Sequence, residues 1–204
     1  MKVSLWCRNH LPLLIVPAVL LLDQASKFAV KLNMQIGEDI RIFDWFHIHF
    51  LENNGMAFGM SLGENAGKLI LSLIRLALIV FLCWYIRKVN KAYKAKEVKA
   101  SLMVCLSLIL AGAIGNMLDC AFYGLIFSES YFSLATLFPE GGGYAPLMFG
   151  RVVDMLYFPI LHWRNEVLFF RPVFNIADSA VTVGFFLFVL TQRSLWWPAS
   201  RKAS

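Results

Sequence analysis

Charge is what this chain has least of. Asp, Glu, Lys and Arg make up 16% of its 204 residues, against about 25% in a soluble domain, which argues against a soluble globular fold. Cysteine is also thin. Cys7, Cys83, Cys105 and Cys120 are scattered, none forms a C-x-x-C pair, and Cys83 and Cys105 lie inside apolar runs. That spacing argues against a disulfide framework and a zinc site. No internal repeat is visible. What is abundant is hydrophobic sequence, 59% of the chain. The net charge of +6 would fit a nucleic-acid partner if it were spread, but Arg87, Lys88, Lys91, Lys94, Lys96 and Lys99 crowd one short stretch between two apolar runs. Basic residues gathered there read as a cytoplasmic loop of a membrane protein.

Four spans are expected, at about 11–32, 67–86, 101–122 and 176–196. The first would reach about 33 Å at 1.5 Å per residue, enough to cross a bilayer. A cleaved signal peptide would also place Lys2 and Arg8 before an apolar run, but Asp23-Gln24-Ala25-Ser26-Lys27 follows where a small-x-small cleavage site would be needed. Arg75 falls inside the second span and must snorkel, pair or face the bundle interior. With the basic 87–100 stretch in the cytoplasm, four spans put both termini there too. Lys2, Arg8, Arg193, Arg201 and Lys202 agree with this, and Trp196 and Trp197 suit the headgroup level.

Two larger segments then face outward, about 33–66 and 123–174. In the first, Phe46, Ile48 and Phe50 alternate with His47 and His49, the period of a half-exposed strand, and Asn54-Gly55 is a tight-turn signal. A small sheet over the membrane surface is expected. In the second, 128–149 reads as an apolar surface loop or insertion. The whole is expected to be a single integral membrane domain over 1–204.

The groups that could carry chemistry are few. Asp154 ends Gly150-Arg151-Val152-Val153-Asp154, and Asp178 ends Phe174-Asn175-Ile176-Ala177-Asp178. Carboxylates at membrane depth are costly and usually mark function, and two of them form the simplest equipment for splitting a peptide bond with water. The plainer alternative for Asp178 is helix stabilisation, with Asn175 as N-cap and Asp178 in the first turn. Asp154 could be a turn residue. Asp23 and Lys27 stand one helical turn apart and can pair, as a structural ion pair or as part of a site. Gly112 and Asn116 are one turn apart on the third span, with Asp119 and Cys120 below. That face serves helix packing first and could equally orient a substrate. His47 and His49 share a strand face without a third ligand at a sensible spacing, so no metal site is expected. In this topology Asp23, Lys27, Asn54, Asn116, Asp154 and Asp178 all fall at the outer side of the membrane.

Asp23-Gln-Ala-Ser-Lys27, Asn53-Asn54-Gly55-Met56-Ala57-Phe58-Gly59, Gly112-Ala-Ile-Gly115-Asn116, Val152-Val153-Asp154 and Phe174-Asn175-Ile-Ala177-Asp178-Ser179 occur in this order from one end of the chain to the other. Together they resemble the lipoprotein signal peptidase (signal peptidase II) family, bacterial intramembrane aspartic peptidases. The resemblance implies an all-α membrane protein of four transmembrane helices with a small extracytoplasmic β-cradle, in the bacterial inner membrane with its active site toward the periplasm. It implies Asp154 and Asp178 as catalytic. Around them it implies Asp23, Lys27, Asn54, Gly55, Gly112, Asn116, Asn175 and Ala177 as supporting residues. The implied substrate is a diacylglyceryl-modified prolipoprotein, cut just before the lipid-bearing cysteine. The implied partners are that precursor and membrane lipid, with no nucleic acid, for a monomer that needs no metal or organic cofactor. One departure stands out. The family continues Gly-Asn-x-x-Asp-Arg, whereas this chain has Cys120 in place of the arginine. Arg151 could supply a guanidinium from another direction. The alternatives are a small proton-coupled transporter and a non-enzymatic envelope scaffold. The transporter needs a water path to the cytoplasm, and Leu11–Leu22 and Phe185–Leu190 contain no ionisable residue.

Overall fold

The structure, a computed structural model, describes residues 10–54, 64–95, 97–159, 161–163, 166–169 and 172–191. Helix α1 is Leu11–Asn33, α2 is Glu64–Lys94 and α3 is Ala100–Leu118, continued by a π-helical turn Asp119–Tyr123 and a last turn Gly124–Ile126. The strands are β1 Asp39–Phe43, β2 Phe46–Asn53, β3 Val152–Tyr157, β4 Leu161–Trp163, β5 Glu166–Phe169 and β6 Val173–Phe174, before a last helix α4, Ile176–Thr191.

Helices α2 and α3 bury an apolar cluster that includes Leu82, Ile86, Met103 and Leu106, whereas α1 turns a mostly polar stripe inward. On α1 the buried residues are Asp23, Lys27, Val30 and Lys31, one stripe at helical spacing, while Leu13, Leu21 and Leu22 are exposed. Lipid is as apolar as leucine, so packing and hydrogen bonds hold such helices together. Helix α3 is the hub, with α1, α2 and α4 all packed on it. Gly112 permits a close approach of α3 to α4. A Cβ there would lie 2.2 Å from the Ala177 carbonyl oxygen and 2.6 Å from Val181 Cγ2.

Among the described residues three helices, Leu11–Asn33, Ala66–Lys94 and Ala100–Ile126, are long and apolar enough to cross a membrane. The 16 described residues of α4 amount to about 24 Å, short of a bilayer core of about 30 Å. Two expected boundaries are corrected. Helix α2 runs to Lys94, so Arg87, Lys88, Lys91 and Lys94 sit on helix and the connection is confined to about 95–99. Lysine and arginine are good helix formers and do not end a helix where the apolar run ends. Likewise the third helix continues to Ile126 rather than 122. Trp196 and Trp197 lie outside the described residues.

The sheet has strand order β1-β2-β3-β6, all antiparallel, and β4 with β5 forms a separate hairpin. Both outward segments contribute to the main sheet. The turn between β1 and β2 is at Asp44-Trp45, and the turn expected at Asn54-Gly55 falls at the edge of the described residues. Gly55 lies outside the described residues. Phe50, Val153 and Met155 pack with Val30, Met34, Tyr123 and Phe127, where the sheet meets the C-terminal ends of α1 and α3.

The 128–149 stretch is strapped to the end of α3. A π turn displaces the i→i−4 ladder and frees carbonyls, as such bulges do at functional sites. Here Ala145, Met148 and Gly150 donate backbone N–H to the carbonyls of Gly124 (2.9 Å), Ala121 (3.2 Å) and Cys120 (2.8 Å). Gly150 is required for this approach, since a Cβ there would sit 2.1 Å from the Asp119 carbonyl oxygen. This strap delivers the chain into β3.

Candidate active site

Asp154 stands in the middle of β3, paired with Leu51 of β2. Asp178 lies in the first turn of α4. Two asparagines join them. Asn175, which precedes α4, donates from Nδ2 to Asp154 Oδ1 at 2.7 Å and to Asn116 Oδ1 at 3.1 Å. Asn116 of α3 donates from its own Nδ2 to Asp178 Oδ1 at 2.7 Å. The Asn175 Oδ1 accepts the backbone N–H of Asp178 at 2.8 Å, the N-cap bond expected of an asparagine at this position. One amide relay therefore orients both carboxyl groups.

Behind the relay is a closed ionic cluster. Lys27 Nζ lies 2.8 Å from Asp23 Oδ2, 2.8 Å from Asp119 Oδ2 and 3.0 Å from Asn116 Oδ1. All three charged side chains are fully buried. Three acceptors match the three donors of an ammonium group. Each acceptor also holds something nearer the carboxyl pair. Asp23 Oδ1 accepts the Ala177 N–H at 2.8 Å, an otherwise unmatched donor in the first turn of α4. Asp119 Oδ2 accepts the Val153 N–H at 3.3 Å, and Asn116 reaches Asp178. Gln24 links Asp119 Oδ1 at 3.0 Å to the Tyr123 hydroxyl at 3.1 Å.

Burial and the nearby charge of Asp178 push Asp154 up to about 7, against the opposing hydrogen bonds of Asn53 and Asn175. Burial disfavours the charged carboxylate, and a like charge adds to it. Asp178 is only half buried and borders a groove of about 400 Å³ lined by Pro172, Phe174, Ser179, Thr182 and Val183. A mostly apolar groove along α4, ending at a carboxyl group, is a path by which a membrane-held chain can approach.

The structure thus gathers Asp23, Lys27, Gly112, Asn116, Asp154, Asn175, Ala177 and Asp178 at one place. Other candidates are elsewhere. Asn53, not Asn54, bonds to Asp154. Asn54 is exposed and accepts from Lys68 Nζ at 3.3 Å. Arg151 points away from the carboxyl pair, with Nη1 2.9 Å from Glu52 Oε2 and a bidentate pair to Glu129 at 2.7 and 3.0 Å. The sequence does not single out Gln24 or Asn53, and it places Asp119 on a face that packs helices or orients a substrate, without naming it a site residue. Gln24 and Asn53 each stand beside a residue that was singled out, which was the available signal.

A family model described as signal peptidase (SPase) II matches residues 15–193. The chain is 44% identical over 186 residues to the lipoprotein signal peptidase of Porphyromonas gingivalis, covering 86% of this chain and 80% of that protein. It is 34% identical to the lipoprotein signal peptidase of Amoebophilus asiaticus, covering 85% of this chain and 73% of that one. Its fold is like that of a bacterial membrane enzyme solved by the in meso method, at a TM-score of 0.59 and 23% identity, covering 95% of this chain and 94% of the other.

Proposed function

The chain belongs to the signal peptidase II family, and from that premise we propose that it removes the signal peptide of diacylglyceryl-modified prolipoproteins by an aspartic mechanism run by Asp154 and Asp178. The observation that carries this reading is the amide relay Asp154–Asn175–Asn116–Asp178, which orients two carboxyl groups toward one reaction centre. It is a multi-pass membrane peptidase. We read the chain as one integral domain of four spans, the fourth being α4 with residues beyond Thr191. Both termini are cytoplasmic, in the inner membrane, and the carboxyl pair faces the periplasm.

Two close carboxyl groups do not both ionise readily, so the pair holds one proton and a water. Asp154, pushed up to about 7, is the member that keeps the proton. Asp178, in the N-terminal turn of a helix whose dipole favours an anion, is the base. It takes a proton from the water as the hydroxide oxygen bonds to the carbonyl carbon before the lipid-bearing cysteine. Asp154 gives its proton to the carbonyl oxygen. The resulting gem-diol collapses as the amine nitrogen takes the proton held by Asp178, the C–N bond breaks, and the remaining hydroxyl proton returns to Asp154. Lys27 takes no part in proton transfer. It holds the acceptors that hold the pair.

The test is direct. Purified chain is incubated with a synthetic precursor peptide carrying diacylglyceryl-cysteine, and the masses of the products are measured. One cut on the N-terminal side of the modified cysteine is expected. Intact precursor, or a cut elsewhere, overturns the reading.

A further inference from the structure

Helix α2 carries two charged residues between Ala66 and Ile86, Lys68 and Arg75. Together with Ser72 they recur at i, i+4 and i+7, one stripe of a helix. Leu69, Ile70, Leu73, Ile74 and Leu76 around them are exposed on the outside of the bundle. The stripe itself is turned inward. Arg75 Nη1 donates to Cys120 Sγ at 3.2 Å, and Lys68 Nζ donates to the Phe149 carbonyl at 2.7 Å. Ser72 Oγ is buried and has no hydrogen-bond partner among the described residues.

A guanidinium has five N–H donors, and a thiol sulfur is a weak acceptor. Among the described residues Cys120 is the one acceptor that Arg75 finds. Hydrocarbon offers no water for the remaining donors, and a charge kept there faces a partner or a pathway. Cys120 also ties this spot to the reaction centre. Its carbonyl accepts the Gly150 N–H and its neighbour Asp119 accepts the Val153 N–H, both on the path into the strand of Asp154.

We propose that Arg75, with Ser72 beside it, receives a carbonyl oxygen of the lipid-modified precursor and is a specificity-determining residue. The inference rests on the peptidase reading above. Depth favours the precursor over a bilayer phosphate. Arg75 lies 75 − 64 = 11 residues inside the first residue of α2, about 16 Å along the axis, whereas Lys68 sits nearer the headgroup level. The oxygens a precursor brings to that depth are peptide carbonyls and the ester carbonyls of its diacylglyceryl group. A planar donor fork suits either.

The experiment uses the full chain in phosphatidylcholine vesicles and two synthetic precursors, one with diacylglyceryl-cysteine and one with the dialkyl ether in its place. Arg75→Gln should raise KM about 10-fold with kcat within about 2-fold, the pattern of lost binding in ground and transition state alike. Its melting temperature should stay close to wild type. Arg75→Lys should keep part of the binding. Arg75→Gln with Cys120→Arg should recover part of the loss, because the new guanidinium starts beside the sulfur that Arg75 now touches. If the wild type loses affinity for the ether precursor as far as Arg75→Gln does for the ester, the acceptor is an ester carbonyl. If the Arg75→Gln penalty is equal on both precursors, it is a peptide carbonyl. Wild-type KM in Arg75→Gln overturns the inference. So does a penalty that arises only when phosphatidylglycerol is added to the vesicles, which would assign a lipid phosphate, or a joint fall of kcat and melting temperature, which would make Arg75 a brace. A wild type that cleaves neither precursor removes the peptidase reading itself, a result distinguishable from all of these.

Discussion

Two fully buried lysines one turn apart on α1 have been given different tasks. Lys27 faces Asp23, Asp119 and Asn116. Lys31 faces Glu52 and the Ser130 hydroxyl, with the Phe127 and Tyr144 rings about it at 5.3 and 5.0 Å. Each acceptor of Lys27 in turn holds a group within a residue or two of the carboxyl pair. The acceptors of Lys31 hold the outer strap, since Glu52 also binds Arg151, which binds Glu129. The ion-pair chemistry is the same in both. Around Lys27 it aims two carboxyl groups, and around Lys31 it fastens strand β2 and the 128–149 stretch to the end of a helix. Redundancy also differs. Glu52 has two cations, whereas the described ion pairs of Asp23 and Asp119 are with Lys27 alone.

The comparison breaks most sharply on activity. Asp154→Asn and Asp178→Asn should each lower the cleavage rate at least about 1,000-fold, within the range for losing an acid–base group, with melting temperature little changed. Glu129→Gln, in the other cluster, should keep the rate within about 3-fold, a change of under about 1 kcal/mol. Turnover near wild type in either asparagine variant would dissolve the distinction between the clusters.

Stability comes next. Lys27→Ala leaves two buried carboxylates without a counter-charge and should cost about 3–5 kcal/mol in reversible unfolding. Lys31→Ala leaves Glu52 with Arg151 and should cost roughly 1–2 kcal/mol. Asp23→Ala combined with Lys27→Ala should cost less than the sum of the two, by roughly 0.5–3 kcal/mol. Equal costs for the two lysines would show that the second cation near Glu52 does nothing.

A third outcome concerns pH. The fold raises Asp154 to about 7, above the ordinary carboxylate range of about 4, so it favours the protonated form. The stability this gives is fully present below the ordinary value and is lost as pH rises through about 7. The cleavage rate should fall over the same window, because the acid has lost its proton. Asp154→Asn should flatten the loss of stability between about pH 5 and 8, measured by thermal denaturation across that range. A wild-type rate that keeps rising above 7 would reverse the acid and base assignments.

The smallest effect is expected at Arg151. Its guanidinium is taken up by Glu52 and Glu129, so Arg151→Ala should change kcat/KM less than about 3-fold and cost about 1 kcal/mol of stability. A 10-fold loss of activity would instead make Arg151 the replacement for the guanidinium absent at position 120.

Each aspartate alone had a plain structural explanation, and the carboxyl pair was legible in the sequence from the company of Asp23, Lys27 and Asn116 and from the resemblance of the segments that carry it. Asp23 and Lys27 were legible as a pair from their spacing. The same spacing could not reveal that Asp119 completes the triad, because its partners are 96 and 92 positions away (119 − 23 and 119 − 27). Nor could it separate Asn53 from Asn54. That choice belongs to the register of β2 against β3, in which Asn53 stands opposite Val152, and a slip of one residue would exchange the two faces. The turn at Asp44-Trp45 carries none of the usual turn residues after its aspartate, so nothing local marked it.

By itself, the sequence determined the solvent, the three long apolar helices, the strand around Phe46–Phe50 and the candidate carboxyl groups, while its fourth span is matched by a helix of 16 described residues. These follow from composition and from periods of 2 and 3.6, which are local properties of a chain. The tertiary structure alone decided which polar groups meet. The π turn at Asp119–Tyr123 has no local signature, yet its freed carbonyls bind the strap that sets Asp154 in place. The close approach at Gly112 brings Asn116 to Asp178 and Asp23 to the start of α4. In a membrane, hydrophobicity drives helices into lipid but does not choose their neighbours. That choice is left to small residues and to buried hydrogen bonds between positions far apart in the chain.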